Sequence, residues 1–276
     1  MTDTIHLATR FADLDTQRHV TSRTYESMAL EGRYAYLKER GYEWKSMLES
    51  GVRLRALRGH VRFLRQQYPG TVLAVETQAI VRENGEIFWN QTIREQEGAE
   101  VAHLQLLSIL DGKGGAIVLE QATASEPASH LIDLPSFSGT CEQVISAYTM
   151  PYTERDAFGE YPPAAIWRIF EEGRWLFSSS AGLSYEKIVE MDTTSFYMGG
   201  DYAIERMPVA GQPLTIRTWI EKVDKIRYYF MQEVHDDAGI VAAMRDEQLI
   251  VSLSRARPQR APEAFVRFLG AYIEKR

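Results

Sequence analysis

The stretch Arg10-Phe-Ala-Asp-Leu-Asp-Thr-Gln-Arg-His-Val20 decides the fold, because a related stretch occurs again later in the chain. It returns in altered form as Pro151-Tyr-Thr-Glu-Arg-Asp-Ala-Phe-Gly-Glu-Tyr161, at an offset of 141 residues. Glu31-Gly-Arg33 follows the first copy, and Glu172-Gly-Arg174 follows the second at the same offset. A repeat of this length predicts two copies of one compact unit rather than a solenoid of short repeats.

The offset holds across the whole unit without a gap. Identical residues recur at it in eight further places: Gly41 and Gly182, Gly59 and Gly200, Arg65 and Arg206, Gly70 and Gly211, Leu73 and Leu214, Thr77 and Thr218, Gln91 and Gln232, Gly98 and Gly239. Glycines at turns carry most weight, because other residues replace them there at a cost. We therefore expect a first repeat over residues 1–120, a linker over 121–140, a second repeat over 141–258 and a C-terminal helix over 259–276.

Each copy predicts one long helix and an antiparallel meander. Residues 22–40 carry apolar side chains at the spacing of an amphipathic helix, and the prolines at 162 and 163 mark the start of its counterpart. The strands are expected at 5–11, 73–82, 86–95 and 101–110 in the first copy, and at 214–223, 227–235 and 241–253 in the second. This order is typical of an α+β fold with the helix on one face of the sheet. Gly32 and Gly173 lie within the helices, where glycine is unfavourable, so a neighbour is expected to approach closely there.

Composition excludes several classes of function. The 276 residues are 45% hydrophobic and 25% charged, as in ordinary globular proteins. The net charge of −7 argues against nucleic acid as the partner. No apolar run reaches the ~20 residues of a membrane span, and residues 1–10 lack the apolar core of a signal peptide. We therefore expect a cytoplasmic protein that binds neither nucleic acid nor membrane.

The common catalytic signatures are missing from the sequence. There is no Gly-x-Ser-x-Gly elbow, no nucleotide-binding fingerprint and no pair of histidines at metal-ligand spacing. The single cysteine, Cys141, cannot form an intrachain disulfide and has no activating partner nearby in sequence, so it is expected to be inert. We expect neither a metal nor another cofactor.

The quoted motif resembles that of the hotdog-fold thioesterases. Their pattern is close to R-[YF]-x-[DE]-x-D-x-x-[GN]-H-V-N-N, followed by a helix with tyrosine, glutamate and arginine. Because the motif occurs in both copies, the resemblance covers nearly the whole chain. A chain with two hotdog domains resembles the acyl-ACP thioesterases. Proteins of the 4-hydroxybenzoyl-CoA thioesterase type have one hotdog domain per chain. The resemblance implies a tandem hotdog. In each copy a curved antiparallel sheet would wrap a long central helix, and the copies would form a pseudo-dimer.

The resemblance also implies an activity and a site. The activity would be hydrolysis of a fatty acyl thioester, acyl-ACP or acyl-CoA, to free acid and thiol. The catalytic residues would be Asp15, Gln17, His19 and Asp156, with the aspartate as base or nucleophile; Ser22, Arg23 and Gly159 would bind substrate. Backbone amides at the helix start would polarise the thioester carbonyl, as free N–H groups and the helix dipole can.

The two copies depart from the family pattern differently. Thr21-Ser22 stands where the family often has two asparagines, and the second copy has prolines there. Glu160 replaces the histidine of the second copy, whereas the first copy keeps Asp15 and His19 together. We therefore expect the chemistry at the first copy. Whether the second is active, the acyl group and the oligomeric state all stay open, a homo-oligomer of pseudo-dimers being one arrangement.

Other interpretations compete with the catalytic one. Asp15 could simply orient the turn before the helix, Tyr25 is expected in the core, and Glu31 is expected to pair with an arginine such as Arg33. The whole protein could be a degenerate hotdog that binds acyl thioesters or acyl carriers without chemistry. A hotdog dehydratase would need a different histidine motif, which is not found in the sequence.

The carrier is also open. The acidic net charge opposes docking of an acidic carrier protein unless a local basic patch faces it. The arginines at 53, 55, 58, 62 and 65 could form such a patch, or they could simply be the solvated face of a strand.

Overall fold

The computed structural model describes residues 2–15, 18–112, 127–255 and 257–275, and it divides into two compact units. Unit 1 consists of Met1–Ile132 and Arg155–Ala165; unit 2 consists of Asp133–Glu154 and Ile166–Arg276. The segment Arg155–Ala165 carries the motif of the second copy, yet it is grouped with the first. The sequence boundaries do not anticipate this assignment, and it determines the surroundings of Asp156.

Unit 1 is an antiparallel sheet with a central helix. Its elements are β1 (Asp3–Ala8), α1 (Ser22–Lys38), α2 (Trp44–Ser50), β2 (Arg53–Phe63), β3 (Val72–Val81), β4 (Ile87–Glu95) and β5 (Glu100–Asp111). The strands follow the order β1-β3-β4-β5-β2. Alternate residues of β3 are buried, as expected for a strand with one face on the core, and α1 packs against it.

Unit 2 repeats this layout. Its elements are β6 (Val144–Thr149), α3 (Pro163–Ser180), α4 (Tyr185–Glu190), β7 (Thr194–Ile204), β8 (Pro213–Asp224), β9 (Arg227–Asp236), β10 (Gly239–Ser252), β11 (Arg257–Pro258) and α5 (Glu263–Leu269). The strand order is β7-β10-β9-β8-β6, with β11 paired to β10, and all these pairs are antiparallel. The first turn of α3 lies in the segment grouped with unit 1.

The structure confirms the duplication inferred from the motif. Strands β1 and β6 coincide at the 141-residue offset at both ends, and so do β2 and β7. Helices α1 and α3 begin at equivalent residues, Ser22 and Pro163, and Pro163 takes the first helical position, where proline loses no hydrogen bond. The meander strands lie within two residues of their predicted limits at every end. The duplicated α+β layout is therefore confirmed.

The helical glycines lie against buried polar side chains, as expected. A Cβ on Gly32 would come within 2.6 Å of Thr77 Oγ1, and one on Gly173 would come closer still to Gln232 Nε2. Gln91 Nε2 donates to the carbonyl of Ala29 at 2.8 Å, so the helix backbone is tied to the sheet beside this contact. The close approach explains why both copies keep glycine.

We expect Gly32→Ala and Gly173→Ala each to lower the free energy of unfolding by up to about 2 kcal/mol. Overpacking of a well-filled site costs about 1–3 kcal/mol, and the better helix propensity of alanine returns about 1 kcal/mol of it. Urea unfolding measures the change. Gly270→Ala is the matched control, because no other atom of the described part of the chain lies within 4 Å of its added Cβ. Equal stability of Gly32→Ala and Gly270→Ala would contradict the close-packing argument.

Some predicted limits are wrong. The first strand ends at Ala8 rather than at residue 11, because the Asp13 carboxylate accepts the Arg10 backbone N–H at 2.7 Å and holds a 3₁₀ turn over Phe11–Asp13. The C-terminal helix ends at Leu269; a 3₁₀ turn follows, and Ile273 then bridges to β8 in an extended conformation. The sequence does not predict β6 or β7, and it gives β2 only as one interpretation of the arginines at 53, 55, 58, 62 and 65.

Candidate active site

Asp15 organises the loop that precedes α1. Its backbone N–H donates to the carbonyl of His19 at 2.8 Å, and its Oδ1 accepts the His19 backbone N–H at 3.0 Å. The Arg18 N–H donates to the Asp15 carbonyl at 3.0 Å, and Arg18 has a φ of 66°, which is unusual for a residue with a side chain. The aspartate therefore orients the turn, as the structural interpretation predicts, and this role is compatible with a catalytic one.

Asp156 organises an equivalent loop. Its N–H donates to the Glu160 carbonyl at 2.8 Å, and its Oδ1 accepts the N–H groups of Phe158 at 2.9 Å and Glu160 at 3.1 Å. Gly159, the counterpart of Arg18, has a φ of 78° and donates its N–H to the Asp156 carbonyl at 3.0 Å. The two loops therefore share these hydrogen bonds around an aspartate, although four of the five residues differ.

The surroundings of the two aspartates differ. Asp15 is exposed and His19 half-buried, and Gln17 lies outside the described residues. Asp156 is half-buried. Burial, followed by the negative charge of Asp156, raises the pKa of Tyr34 to about 12. The first loop thus presents its carboxylate to solvent, whereas the second lies beside a buried phenol.

An aromatic stack holds the second loop in unit 1. The ring of Phe158 lies 6.2 Å from that of Tyr34 and 5.9 Å from that of Trp44, with interplanar angles of 12° and 18°. Tyr34 and Trp44 are themselves stacked at 4.8 Å. Offset stacks of this kind add to the free energy gained from burial alone. Phe158 is equivalent to Gln17 in the repeat. The alignment of the two copies shows this replacement, but it does not predict that Phe158 stacks on Tyr34 and Trp44.

An ion pair holds the same loop at Glu160. Its carboxylate lies 3.0 Å from Arg53 Nη1, and Arg53 also contacts Asp111 at 3.4 Å. Glu160 occupies the position of His19 in the repeat, so the second copy has exchanged a titratable ring for an ion-paired carboxylate. No local sequence signal links Arg53 to this loop, because the two lie far apart in the chain.

Arg10 and Asp13 of the motif form an ion pair that closes the turn after β1. Arg10 Nη2 lies 2.7 Å from Asp13 Oδ1, and the Asp13 carbonyl accepts the Thr21 N–H at 2.8 Å. These bonds join the end of β1 to the residue before α1. They bring the Asp15 loop to the helix N-terminus, where the macrodipole favours negative charge. Ser22 and Arg23 form the first turn of α1 and are half-buried; their role in binding substrate stays a prediction.

Two expectations about other side chains can be judged. Tyr25 is 3% exposed and is a core residue, as predicted. Arg33 pairs with Glu26, not with Glu31, and Arg174 pairs with Asp246. Arg33 is therefore not the partner of Glu31, because Arg33 is buried in α1 whereas Glu31 is exposed. A pair between Glu31 and another arginine stays a prediction.

Cys141 is a thiol rather than a thiolate at neutral pH. Burial, together with the charges of Glu274 and Glu142, raises its pKa to about 11. We expect iodoacetamide to alkylate it about 100-fold more slowly at pH 8 than an unperturbed thiol, because two pKa units remove that share of the reactive thiolate. Glu142→Gln should accelerate alkylation by removing one negative charge. Alkylation at the rate of a free thiol would contradict this assignment.

Two absences concern the described residues only. Among them no three or more His, Cys, Asp or Glu side chains are grouped so that they could hold a metal ion. Within the same part of the chain, no helix combines the length and the apolar character that crossing a membrane requires.

Known proteins resemble the chain in sequence over its first half and in fold over nearly all of it. Residues 9–123 match the model of the thioesterase-like superfamily, and no curated protein matches the sequence. The 12:0-ACP thioesterase from Umbellularia californica superposes with a TM-score of 0.71 at 13% identity, covering 94% of each chain.

Two bacterial structures are similar in the same way. A putative oleoyl thioesterase from Lactobacillus plantarum gives a TM-score of 0.71 at 10% identity, covering 91% of this chain and 97% of that one. An acyl-ACP thioesterase from Bacteroides thetaiotaomicron VPI-5482 gives 0.62 at 13% identity, covering 90% and 97%. The chain is therefore a tandem hotdog protein with the fold of these thioesterases, and its first copy matches the thioesterase-like superfamily.

Proposed function

We propose that the protein is a thioesterase that hydrolyses a fatty acyl thioester, carried by ACP or CoA, to free acid and thiol. The observation that carries the proposal is the aspartate turn before the central helix, kept in both copies, in a fold shared with acyl-ACP thioesterases. The match of residues 9–123 to the thioesterase-like superfamily supports the same activity.

The proposed reaction takes place at the Asp15 loop. The Asp15 carboxylate either removes a proton from water, which attacks the thioester carbonyl carbon, or attacks that carbon itself. The C–S bond then breaks, and the thiolate takes up a proton and leaves; the direct route also needs water to hydrolyse the acyl-aspartyl intermediate. His19 and Gln17 orient the reacting groups, and the amides of Ser22 and Arg23 stabilise the developing oxyanion.

Asp156 and Gly159 have a second role in the proposal. Their loop has the same backbone geometry, but it carries Phe158 in an aromatic stack and Glu160 in an ion pair. These contacts favour a loop that shapes the site over one that performs a full catalytic cycle. Asp156 is therefore assigned a supporting part in catalysis, and the main chemistry is assigned to Asp15.

A screen of thiol release tests the proposal. Saturated and aromatic acyl groups are offered on both CoA and a bacterial acyl carrier protein, and the released thiol is followed with a disulfide reagent. We expect turnover of at least one acyl series, with the preferred chain length and carrier read from kcat/KM. A protein that turns over no thioester on either carrier would contradict the proposal.

A second function is favoured by the altered second copy. A hotdog whose second loop lacks the histidine and is packed in place could bind acyl thioesters or acyl carriers without chemistry. Tight binding of a non-hydrolysable acyl-thioether analogue, with no thiol release from the matching thioester, would support this function. The cytoplasmic location and a homo-oligomer stay predictions.

A further inference from the structure

A polar cluster joins α3 to strands β7 and β10 within unit 2. Arg174 Nη1 donates to Asp246 Oδ2 at 2.9 Å, and Gln248 Nε2 donates to Asp246 Oδ1 at 3.0 Å. The guanidinium carbon of Arg174 lies 4.8 Å from the centre of the Tyr197 ring. A carboxylate and an aromatic ring therefore hold the guanidinium in one orientation.

The guanidinium of Arg174 keeps donors that the cluster does not use. Among the described residues, only its Nη1 has a hydrogen-bond partner, and 16% of the side chain is exposed. The equivalent Arg33 of unit 1 differs, because its side chain is 0% exposed and lies against Glu26. Nε and Nη2 of Arg174 can therefore be reached by a ligand, whereas Arg33 is closed off.

The strand pairing shows that the fold does not require a carboxylate beside this arginine. Asp246 lies opposite Gly200 in the pairing of β10 with β7. The equivalent glycine of unit 1, Gly59, has Leu106 opposite it in the pairing of β2 with β5. The 141-residue offset matches Asp246 with Gln105, but the pairing differs from it by one residue at this point. The second copy has thus placed a carboxylate where the first has an apolar side chain.

The charges around Arg174 favour a neutral ligand. Burial opposes the charge of the guanidinium, whereas Asp246 and then Glu171 favour it, and on balance its pKa is raised. Two carboxylates act on one cation, so a further anion would be repelled as well as desolvated. A keto or hydroxyl oxygen accepts hydrogen bonds from the guanidinium without adding a charge, and bonds from a charged donor are stronger than those between neutral groups.

Aromatic rings beside the guanidinium suit the apolar body of such a ligand. The ring of Trp167 lies 6.4 Å from that of Tyr197 and 5.4 Å from that of Tyr202. Burial, followed by the charge of Asp246, holds the pKa of Tyr197 well above its usual value, so this ring stays an uncharged phenol. A donor edge next to uncharged rings is typical of a site that binds a mostly apolar molecule through a few polar contacts.

We propose that Arg174 determines specificity in unit 2 by donating hydrogen bonds to a neutral oxygen, keto or hydroxyl, on the aliphatic chain of the acyl group. This inference rests on the proposed thioesterase function, which supplies the chain. An unsubstituted chain would cover the guanidinium without accepting its N–H groups, and an unpaired buried donor costs binding free energy. An oxygenated acyl group is therefore favoured over a plain one of equal length.

Acyl-CoA substrates of equal chain length test this preference. One acyl group is unsubstituted, and the others carry a single hydroxyl near the thioester, at mid-chain or at the far end. For the parent we expect kcat/KM to be at least about tenfold higher for one of the hydroxylated acyl groups than for the plain one.

A lysine at position 174 separates the donors from the charge. Arg174→Lys keeps a cation beside Asp246 but loses Nε and the planar fork, so we expect the preference to fall to about twofold or less. Arg33→Lys makes the same change at the equivalent position of unit 1 and should keep the full preference. Thermal unfolding shows whether each variant is folded. If Arg174→Lys is not, Arg174→Met/Asp246→Met removes both charges together and takes its place in the comparison.

Binding without turnover separates this inference from the proposed function. Calorimetry with non-hydrolysable acyl-CoA thioethers compares the hydroxylated and plain chains, and we expect the parent to bind the hydroxylated chain at least about tenfold more tightly. Equal affinities would overturn the inference and leave thiol release, and so the proposed function, untouched. A preference that Arg174→Lys keeps in full would also overturn it.

Two further outcomes identify the source of the oxygen and the fate of the thioester. A free long-chain alcohol that binds through Arg174, while the hydroxylated thioethers show no preference, would overturn the assignment to the acyl group. A preference for the hydroxylated thioether in a protein that releases no thiol would sustain the role of Arg174 and contradict the thioesterase activity.

Discussion

Replacement of Asp15 by asparagine is expected to lower kcat for the preferred acyl thioester by about 10²- to 10⁴-fold, the range that general acid–base groups contribute. The side chain keeps its shape, and its Oδ1 can still accept the His19 N–H that closes the turn at 3.0 Å in the parent. Only the negative charge and the basicity are lost. KM should change little, because the carboxylate acts on the reacting atoms rather than on the acyl chain or the carrier. Stopped thiol-release assays at saturating substrate measure the effect.

The second loop supplies a matched control for this experiment. Asp156→Asn makes the same change at the equivalent position and leaves an acceptor for the Phe158 and Glu160 N–H groups. We expect a smaller loss of kcat than for Asp15→Asn, since the Asp156 loop is held by packing and lacks the histidine. Thermal unfolding of both variants confirms that they are folded. Unchanged turnover in Asp15→Asn would contradict its catalytic role, and a larger loss in Asp156→Asn would move the main chemistry to the second loop.

Loss of Glu26 is expected to destabilise the protein by about 3–5 kcal/mol, the usual cost of leaving one member of a buried ion pair alone. Arg33 Nη2 donates to Glu26 Oε1, and the two side chains are 0% and 2% exposed. Among the described residues, Nε and Nη1 of Arg33 have no hydrogen-bond partner, so Glu26 is the group that compensates the guanidinium charge there. Glu26→Gln keeps the volume and removes the charge, and urea unfolding followed by circular dichroism measures the loss.

Removal of both partners separates charge from packing. Replacing a buried pair by apolar residues of similar volume is often neutral or stabilising, so Glu26→Met/Arg33→Met should recover most of the stability lost in Glu26→Gln. Asp246→Asn tests the equivalent pair in unit 2, where Arg174 Nη1 donates to Asp246 Oδ2 at 2.9 Å. A Glu26→Gln variant within 1 kcal/mol of the parent would show that Arg33 is compensated in another way.

The buried pairs show where a repeat in sequence stops predicting structure. Arg33 and Arg174 are equivalent, and the alignment predicts the same role for both. Their partners are not equivalent: Glu26 has Trp167 at its matching position, and Asp246 has Gln105. Each copy keeps the arginine and supplies its carboxylate from a different element, a helix in unit 1 and a strand in unit 2. A pattern of spacings cannot show this, because any carboxylate that reaches the buried guanidinium satisfies it.

The sequence alone predicted the duplication, the α+β layout, the starts of the two central helices and the limits of the meander strands. The tandem hotdog was predicted from the resemblance of the motif to a known family. The periodic spacing of apolar residues and the glycines at turns are local signals. Because the chain is duplicated, each of these signals occurs twice at the 141-residue offset. The sequence also singled out Asp15 and Asp156, each of which accepts hydrogen bonds in the turn before the central helix of its own copy.

Only the tertiary structure decided what surrounds those aspartates and where the arginines of β2 point. The Asp156 loop is grouped with the first unit and is held there by Tyr34, Trp44 and Arg53. A bulge at Leu57 in the pairing of β2 with β5 places Arg55, Arg58 and Arg62 on one face of β2. Contacts between residues distant in the chain and the register of a strand depend on packing of the whole sheet, and local sequence does not encode them.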